Sequence, residues 1–367
     1  MKKKHILFLL FSVLINTLYS QIVINEYSAA NYESHLDNYG EYEDWIELYN
    51  TTSTDIDLNG WFLSDKTSNT NKWQFMSSYI ISANSVGIIY CSGNDEVLGG
   101  FAHTNFKITQ TTGNEVFILS DPSSIIIDSI TVIPNLKSHS RGRDVNGGSS
   151  WSVFTSPTPN MNNTGAMLDY APAPVFSQSP GYYSGPLSLT ITSSDPNAII
   201  YYTTDGFVPS SNSNLYSGPI NIASTSVVKA IAYSTNSNVP NSFIEYNTYF
   251  INETHTIPIL SVSGDSVAVL IEDGVRTLGG WNGPAHEPQG TIEWFDKNGG
   301  IIDKGSGEFN KHGNDSWAYD QRGFDYVMRD QFGYNYALQD KLFETKNRDK
   351  FQKVIVKAAA NDNYPAS

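Results

Sequence analysis

The chain has 367 residues, more than one ordinary domain needs and enough for two or three domains, each with its own core. Aromatic residues make up 13% and charged residues only 16%, the opposite of the balance typical of disorder, and a coiled coil would need far more charged residues. The formal net charge of −15 repels phosphate backbones, so the composition argues against a nucleic-acid partner.

The first twenty residues have the organisation of a secretory signal. Three lysines at positions 2–4 precede a stretch, 6–18, that is nearly devoid of polar residues, and Ser20 supplies a small residue before Gln21. That stretch is too short to span a bilayer comfortably, and no other segment has eighteen uninterrupted apolar residues. We therefore expect a signal peptide at 1–20, export to the medium or the cell surface, and no transmembrane segment after cleavage.

Short alternating apolar segments separated by Asn, Asp, Gly and Ser follow, at spacings near those of a β-sandwich. The predicted strands are 22–25, 45–49, 60–63, 86–91, 116–119 and 125–132. Cys91 is the only cysteine, so no disulfide within the chain can form, and we expect a buried, unreactive thiol. The stretch 156–174 is rich in Pro and Asn, which indicates a linker and a domain boundary.

A second β unit follows this boundary. Its predicted strands are 187–192, 199–203, 220–222 and 227–233, and Gly206 ends a turn in which glycine can take a positive φ. Beyond residue 258 the composition changes, because 12 of the 22 basic residues lie between 257 and 367. Strands at 291–295, 324–328 and 351–356 are predicted there, with one or two helices.

The first β unit resembles the lamin-tail family, an immunoglobulin-like sandwich that bacteria often attach to exported enzymes. The matching blocks, in order, are IVINEYSAAN, GEYEDWIELYN, DLNGWFLSD, KWQF, HTNFKI, FILSDP, GRD and TSPTPN. The resemblance implies a sandwich over 21–160. Trp45, Ile46 and Leu48 fit a strand with core contacts, and Asn59 with Gly60 fits a turn.

Four carboxylates in this unit raise the question of calcium, which binds several carboxylate oxygens. They are Glu41, Glu43, Asp44 and Glu47. Alternation along a strand places Glu43 and Asp44 on opposite faces, and the spacing of an EF-hand is absent. We predict no metal site, with calcium left as the alternative.

The second β unit resembles the small sandwich at the C-terminus of chitobiase-type hexosaminidases. The matching blocks are PVFSQSPGYYSGPLSLTI, IIYYTTDGFVPSSNSNLYSGPI and VVKAIAY. In that family the module accompanies catalytic domains and has no active site of its own. Tyr182, Tyr183, Tyr201 and Tyr202 are candidates for a flat platform under a sugar ring; the alternative is that they are half-buried strand residues.

The last segment resembles the beginning of the CotH kinase family, named for a spore-coat protein. The matching blocks are IPILSVSGD, PQGTIEWFDKNGG, the HG of EFNKHGNDSWAYDQRGFDYVMRDQFGYN, the LF after it, and FQKVIVKAAANDN. Members resembling secreted kinases transfer a phosphoryl group from ATP to protein. The blocks cover less than half of the family's domain, so we expect an incomplete α+β kinase-like region, with ATP and Mg²⁺ implied only for a complete domain.

Two residues of this segment are candidates for phosphate contact. Arg322 occupies the place where the family usually has a lysine shortly after the HG, although a planar guanidinium is not interchangeable with an ammonium. His312 either contacts phosphate or fixes a turn between strands. The family's metal-binding and catalytic acids have no counterpart before Ser367, so the catalytic residues stay unknown and this chain alone is expected to be inactive.

These observations predict a mainly β protein with two immunoglobulin-like β-sandwiches followed by a partial α+β kinase-like region. The predicted division is 21–160, a linker at 161–171, 172–252, and 257–367. The predicted function is that of an exported modular protein of the CotH kinase type, which binds or scaffolds. A secreted protein kinase in a full-length form and a glycan- or cell-wall-binding module remain as alternatives, and the expected partner is a surface glycan or an extracellular protein, with no cofactor in this chain.

Overall fold

The computed structural model describes residues 21–113, 115–271, 288–312, 323–333, 335–342 and 345–357, without the side chains of residues 269 and 271. The expectation of a mainly β protein is confirmed, because strands dominate every described part of the chain. The signal peptide predicted at 1–20 lies outside the described residues, and so does Arg322.

The first β unit is built from short strands that pair into two main sheets. The strands are β1 (Ile22–Ser28), β2 (Trp45–Asn50), β3 (Ile56–Asp57), β4 (Phe62–Ser64), β5 (Trp73–Gln74), β6 (Ile80–Ile81), β7 (Val86–Tyr90), β8 (Glu96–Leu98), β9 (Phe101–His103), β10 (Val116–Ser120), β11 (Ile126–Thr131), β12 (Ser140–Arg143) and β13 (Trp151–Phe154). One sheet has the order β13-β12-β1-β2-β7-β9-β8 and the other β11-β10-β4-β5. We call this unit the first sandwich.

The core of the first sandwich lies between its two sheets. Ile46 and Leu48 of β2 pack with Phe117 and Leu119 of β10, as the two-residue period of a strand requires. Trp45 points to the opposite face of β2, where it joins Ile88 and Tyr90 in a separate buried cluster. Strand β2 is therefore buried on both faces. Cys91 is buried as expected.

The second β unit has one five-stranded sheet and two short pairs of strands. Its strands are β14 (Val175–Phe176), β15 (Gly181–Tyr183), β16 (Leu187–Leu189), β17 (Ile191–Thr192), β18 (Ala198–Thr203), β19 (Asn214–Leu215), β20 (Ile220–Ile222), β21 (Ser226–Ser234) and β22 (Glu245–Ile251). The order of the large sheet is β15-β22-β21-β18-β19, and β16 pairs with β20 while β14 pairs with β17. Leu189, Val228 and Tyr249 meet in the core, so this unit is the second sandwich.

The C-terminal unit is a five-stranded sheet in chain order. Its strands are β23 (Ile259–Ser263), β24 (Gln289–Phe295), β25 (Ile301–His312), β26 (Gly323–Met328) and β27 (Lys353–Val356). The helix α1 (Val267–Ile271) and a 3-10 turn (Asp330–Phe332) accompany it. Ile292, Phe309 and Tyr326 form its core with Val267 of α1. Within the described ranges, no helix has the length and apolarity needed to cross a membrane.

The segment predicted as a linker, 161–171, is tied to both sandwiches, although little in it was expected to be buried. Asn163 is 4% exposed, and its amide donates to the carbonyl oxygen of Arg143 at 2.6 Å. Further on, the amide of Leu168 donates to the carbonyl oxygen of Asn238 in the second sandwich at 2.8 Å. Hydrogen bonds hold this segment in place together with aromatic packing, since the ring of Tyr170 lies 5.4 Å from that of Phe243 in the second sandwich.

Candidate functional site

The four tyrosines predicted as a sugar platform are divided between the two faces of the five-stranded sheet. Tyr183 packs toward the core, 6.0 Å from the ring of Tyr249, and its hydroxyl donates to the carbonyl oxygen of Ser179 at 2.7 Å. Tyr202 also packs against the core. Adjacent tyrosines point to opposite faces because strand side chains alternate. A single platform of four tyrosines is therefore not present.

Tyr182 is on the outer face but is covered by the C-terminal sheet. Its ring lies 5.2 Å from that of Phe250 and packs closely on Gly299, in the turn between β24 and β25. Its hydroxyl is buried, with no hydrogen-bond partner among the described residues. This tyrosine serves the contact between the second sandwich and the C-terminal sheet.

Tyr201 remains partly exposed on the outer face. Its ring meets that of Tyr233 edge to face at 5.7 Å. Ile199 pairs in register with Tyr233, and Leu215 pairs with Tyr201, so both lie on the same face as the two tyrosines. Ile199 is 38% exposed and Leu215 is 58% exposed. We call these four residues the tyrosine patch. Tyr233 was not among the residues predicted from the sequence, although the alternation of β21 places it on this face.

His312, the other predicted site residue that the structure describes, lies at the end of β25. Its Nδ1 is 2.7 Å from Oδ1 of Asp325, and Nζ of Lys353 is 2.7 Å from Oδ2 of the same carboxylate. We call these three residues the His312 cluster. Two basic groups thus converge on one anionic group, and Lys353 was not singled out from the sequence. Arg322, the second candidate for phosphate contact, lies outside the described residues.

The four carboxylates considered for calcium have separate environments. Glu41 is exposed, and Glu43 forms an ion pair with Lys107 at 2.9 Å. Glu47 is buried and accepts hydrogen bonds from Asn25 and from the backbone amide of Asn160. Among the described residues, no group of three or more acidic, His or Cys side chains is arranged to hold a metal ion.

Asp44 lies in a pocket where the first sandwich meets the C-terminal sheet. The cavity has a volume of about 340 Å³. Its lining includes Tyr42, Glu43, Asp44 and Lys107 from the first sandwich and Asp330 and Tyr336 from the C-terminal unit. We call it the junction pocket. No sequence pattern could indicate it, because its two walls are almost 300 residues apart in the chain.

Both aspartates of the junction pocket have raised pKa values. Burial raises the pKa of Asp44 well above its usual range, despite a hydrogen bond from the amide of Asn31 at 2.9 Å, and the nearby charge of Asp330 raises it further. Burial likewise raises the pKa of Asp330 to about 6. Carboxylates with perturbed pKa values in a cavity mark a candidate functional site.

Two family models match this chain, and both agree with the fold described above. The Lamin Tail Domain matches residues 16–134, and the Chitobiase/beta-hexosaminidase C-terminal domain matches residues 178–244. Both resemblances predicted from the sequence are thereby confirmed. No curated protein matches the chain.

The fold and the two matches together indicate a modular binding or scaffolding protein. Neither match includes the C-terminal sheet, for which the resemblance to the CotH kinase family stays a prediction.

Proposed function

We propose that the protein is an exported scaffold that binds surface glycans through its second sandwich and holds the C-terminal sheet against both sandwiches. The basic and apolar segments of the first twenty residues support export. The family of the second sandwich and the exposed tyrosine patch support glycan binding.

The observation that carries the scaffolding role is a pair of polar contacts made by the C-terminal sheet. Glu293 of β24 is buried and accepts a hydrogen bond from the amide of Thr248 in the second sandwich at 3.1 Å. On the other side, the side-chain amide of Gln110 in the first sandwich donates to the carbonyl oxygen of Asp330 at 2.7 Å. Buried polar groups that satisfy each other across a contact favour one orientation over the alternatives.

The tyrosine patch has the chemistry that sugar recognition needs. The partly exposed ring of Tyr201 presents a flat apolar face to the axial C–H groups of a sugar, and the perpendicular ring of Tyr233 closes one side.

A retention assay on insoluble chitin and on peptidoglycan tests the glycan proposal. The native protein is expected to sediment with at least one of them. Tyr201→Ala is expected to weaken retention by up to about tenfold, since the packing of an aromatic ring on its partner contributes on the order of 1 kcal/mol. Tyr39→Ala is the matched control, because Tyr39 is 55% exposed on the first sandwich. Equal retention of both variants, or no retention of the native protein, would reject glycan binding at the patch.

Phosphoryl transfer from ATP is the second candidate function, and the His312 cluster favours it. His312 and Lys353 both lie 2.7 Å from oxygens of the Asp325 carboxylate, so both would also reach a phosphate that took the place of this carboxylate. In that reaction the acceptor hydroxyl oxygen bonds to the γ-phosphorus, ADP leaves, and the hydroxyl proton passes to a base.

Transfer of labelled phosphate from ATP with Mg²⁺ to the protein itself or to casein tests this candidate. If it holds, labelling is abolished by Lys353→Ala and retained by Lys341→Ala. Absence of labelling in the native chain would leave the binding and scaffolding proposal as the function of this polypeptide.

A further inference from the structure

The junction pocket has properties that the glycan and phosphoryl-transfer proposals do not use. We propose that it binds a small organic cation, with an alkylammonium group held between the carboxylates of Asp44 and Asp330.

The described acidic groups around the pocket outnumber the described basic groups, and the excess consists of these two carboxylates. Lys107 is within 3.0 Å of both carboxylate oxygens of Glu43, and the Nε of Arg329 donates to Glu308 at 2.9 Å. The two described cations that line the pocket, Lys107 and Arg329, are therefore each matched with an acid. Among the described residues, neither Asp44 nor Asp330 forms such an ion pair, so a group of opposite charge would complement them.

Asp330 gives the second and independent indication of a ligand. Its residue is 7% exposed, and its Oδ2 has no hydrogen-bond partner among the described residues. The backbone amides of Gln110 and Thr111 face the carboxylate and stabilise its charged form. An unsatisfied buried carboxylate oxygen costs free energy, and a donor in the pocket would recover it.

Two neighbouring oxygen atoms also lack a hydrogen-bond donor among the described residues. Oε1 of Gln331, which lines the pocket, and Oγ1 of Thr111 are also buried without a partner among the described residues. An ammonium group carries three donors and no acceptor, so it suits a site that presents acceptors.

The size and the aromatic walls favour an organic cation over a bare metal ion. A cavity of about 340 Å³ is much larger than one ion, and Tyr42 and Tyr336 line it. Aromatic rings attract ammonium groups through their quadrupole. Within the described part of the chain, moreover, no group of three metal-ligating side chains converges.

Isothermal titration of the full chain with putrescine, a linear diamine, tests the proposal. We expect saturable binding at pH 7.5 that weakens at pH 5, because burial raises the pKa of both aspartates, to about 6 for Asp330, and the lower pH favours their neutral forms. The uncharged analogue 1,4-butanediol should not bind. Asp44→Asn and Asp330→Asn should each weaken putrescine binding about tenfold.

Asp349→Asn is the matched control, because Asp349 is an exposed carboxylate of the same unit outside the junction pocket. Its affinity for putrescine should equal that of the native protein. Asp44→Asn keeps the test valid if Asp330→Asn does not fold, since Asp44 is partly exposed. Absence of saturable binding, equal affinities of the Asp44 and Asp349 variants, or binding of Ca²⁺ but not putrescine with the same dependence on Asp44 would each overturn the proposal.

Discussion

Two glutamates are buried directly opposite each other on the outer face of the first sandwich. Glu26 of β1 pairs in register with Glu47 of β2, and neither is exposed. Glu26 accepts hydrogen bonds from Ser140 and from the amide and hydroxyl of Thr158. Residues 155–163, the closing segment, thus cover this face by donating hydrogen bonds to carboxylates.

The ionisation of Glu47 is expected to make stability depend on pH. Burial raises the pKa of Glu47 to about 8 from an ordinary value of 4.5. As the pH rises between these two values, the unfolded chain loses the proton and the folded chain keeps it, so the free energy of unfolding falls. We expect a decrease on the order of a few kcal/mol between pH 5 and pH 8 in urea titrations.

Glu47→Gln should reduce that decrease, because the amide has no proton to lose. The slope that remains would report the other buried carboxyls whose pKa values are raised, which include Glu26, Asp44, Glu115, Glu293 and Asp330. Glu41→Gln is the control, since Glu41 is exposed in the preceding loop. The same pH slope in the native protein and Glu47→Gln would show that Glu47 does not titrate in the folded state.

At the scale of elements, the turn after β18 shows how a local preference becomes a contact between units. Gly206 has a φ of +78°, and its amide donates to the carbonyl oxygen of Val227 at 3.0 Å. A Cβ at this position would lie 2.7 Å from the Cβ of Ser263 in β23. The positive φ was predicted from the sequence, whereas the approach of β23 was not.

Gly206→Ala is expected to lower the free energy of unfolding by about 1–3 kcal/mol, because it adds backbone strain and a clash with Ser263. Gly218→Ala is the matched control, with no heavy atom within 4 Å of its added Cβ. Urea unfolding followed by tryptophan fluorescence measures both. Equal midpoints for the two variants would contradict the close packing of this turn on β23.

The glycines of β25 illustrate another contact between elements. A Cβ on Gly307 would lie 2.1 Å from the carbonyl oxygen of Val327, and one on Gly305 would overlap the side chain of Met328. These glycines allow β26 to lie close to β25. No pattern in the sequence around these two glycines indicates this packing role.

At the scale of the whole molecule, Lys304 connects the C-terminal sheet to the second sandwich. Its Nζ donates to a carboxylate oxygen of Glu245 at 2.5 Å and to the carbonyl oxygen of Tyr246 at 2.9 Å. It also lies 4.6 Å from the centre of the Tyr246 ring. One side chain thus supplies ionic, hydrogen-bond and aromatic contacts to the same strand, β22.

Lys304→Met removes the charge and keeps the length of the side chain. We expect amide hydrogen exchange in β22 and β23 to become about tenfold faster, because the local opening of these strands no longer has to break the contacts of Lys304. Exchange in the first sandwich should be unchanged. Lys297→Met is the control, as Lys297 is exposed in the turn after β24. Unchanged exchange in β22 and β23 would show that Lys304 does not hold the sheet in place.

The sequence by itself determined the β content, the approximate strands and the two module families. Each predicted strand overlaps an observed one, and 187–192 is divided between β16 and β17. These features are local: a period of two, turn residues between apolar segments and family blocks can all be recognised within a few residues.

Only the tertiary structure decided which face of each strand is covered. Alternation separates Tyr182 from Tyr183, but the packing of the C-terminal sheet determines that the hydroxyl of Tyr182 is buried and its ring lies against Gly299. In the same way, Glu47 is buried because the closing segment returns from more than a hundred residues away to cover it. Burial of a face depends on contacts between distant parts of the chain, and the junction pocket arises from such contacts for the same reason.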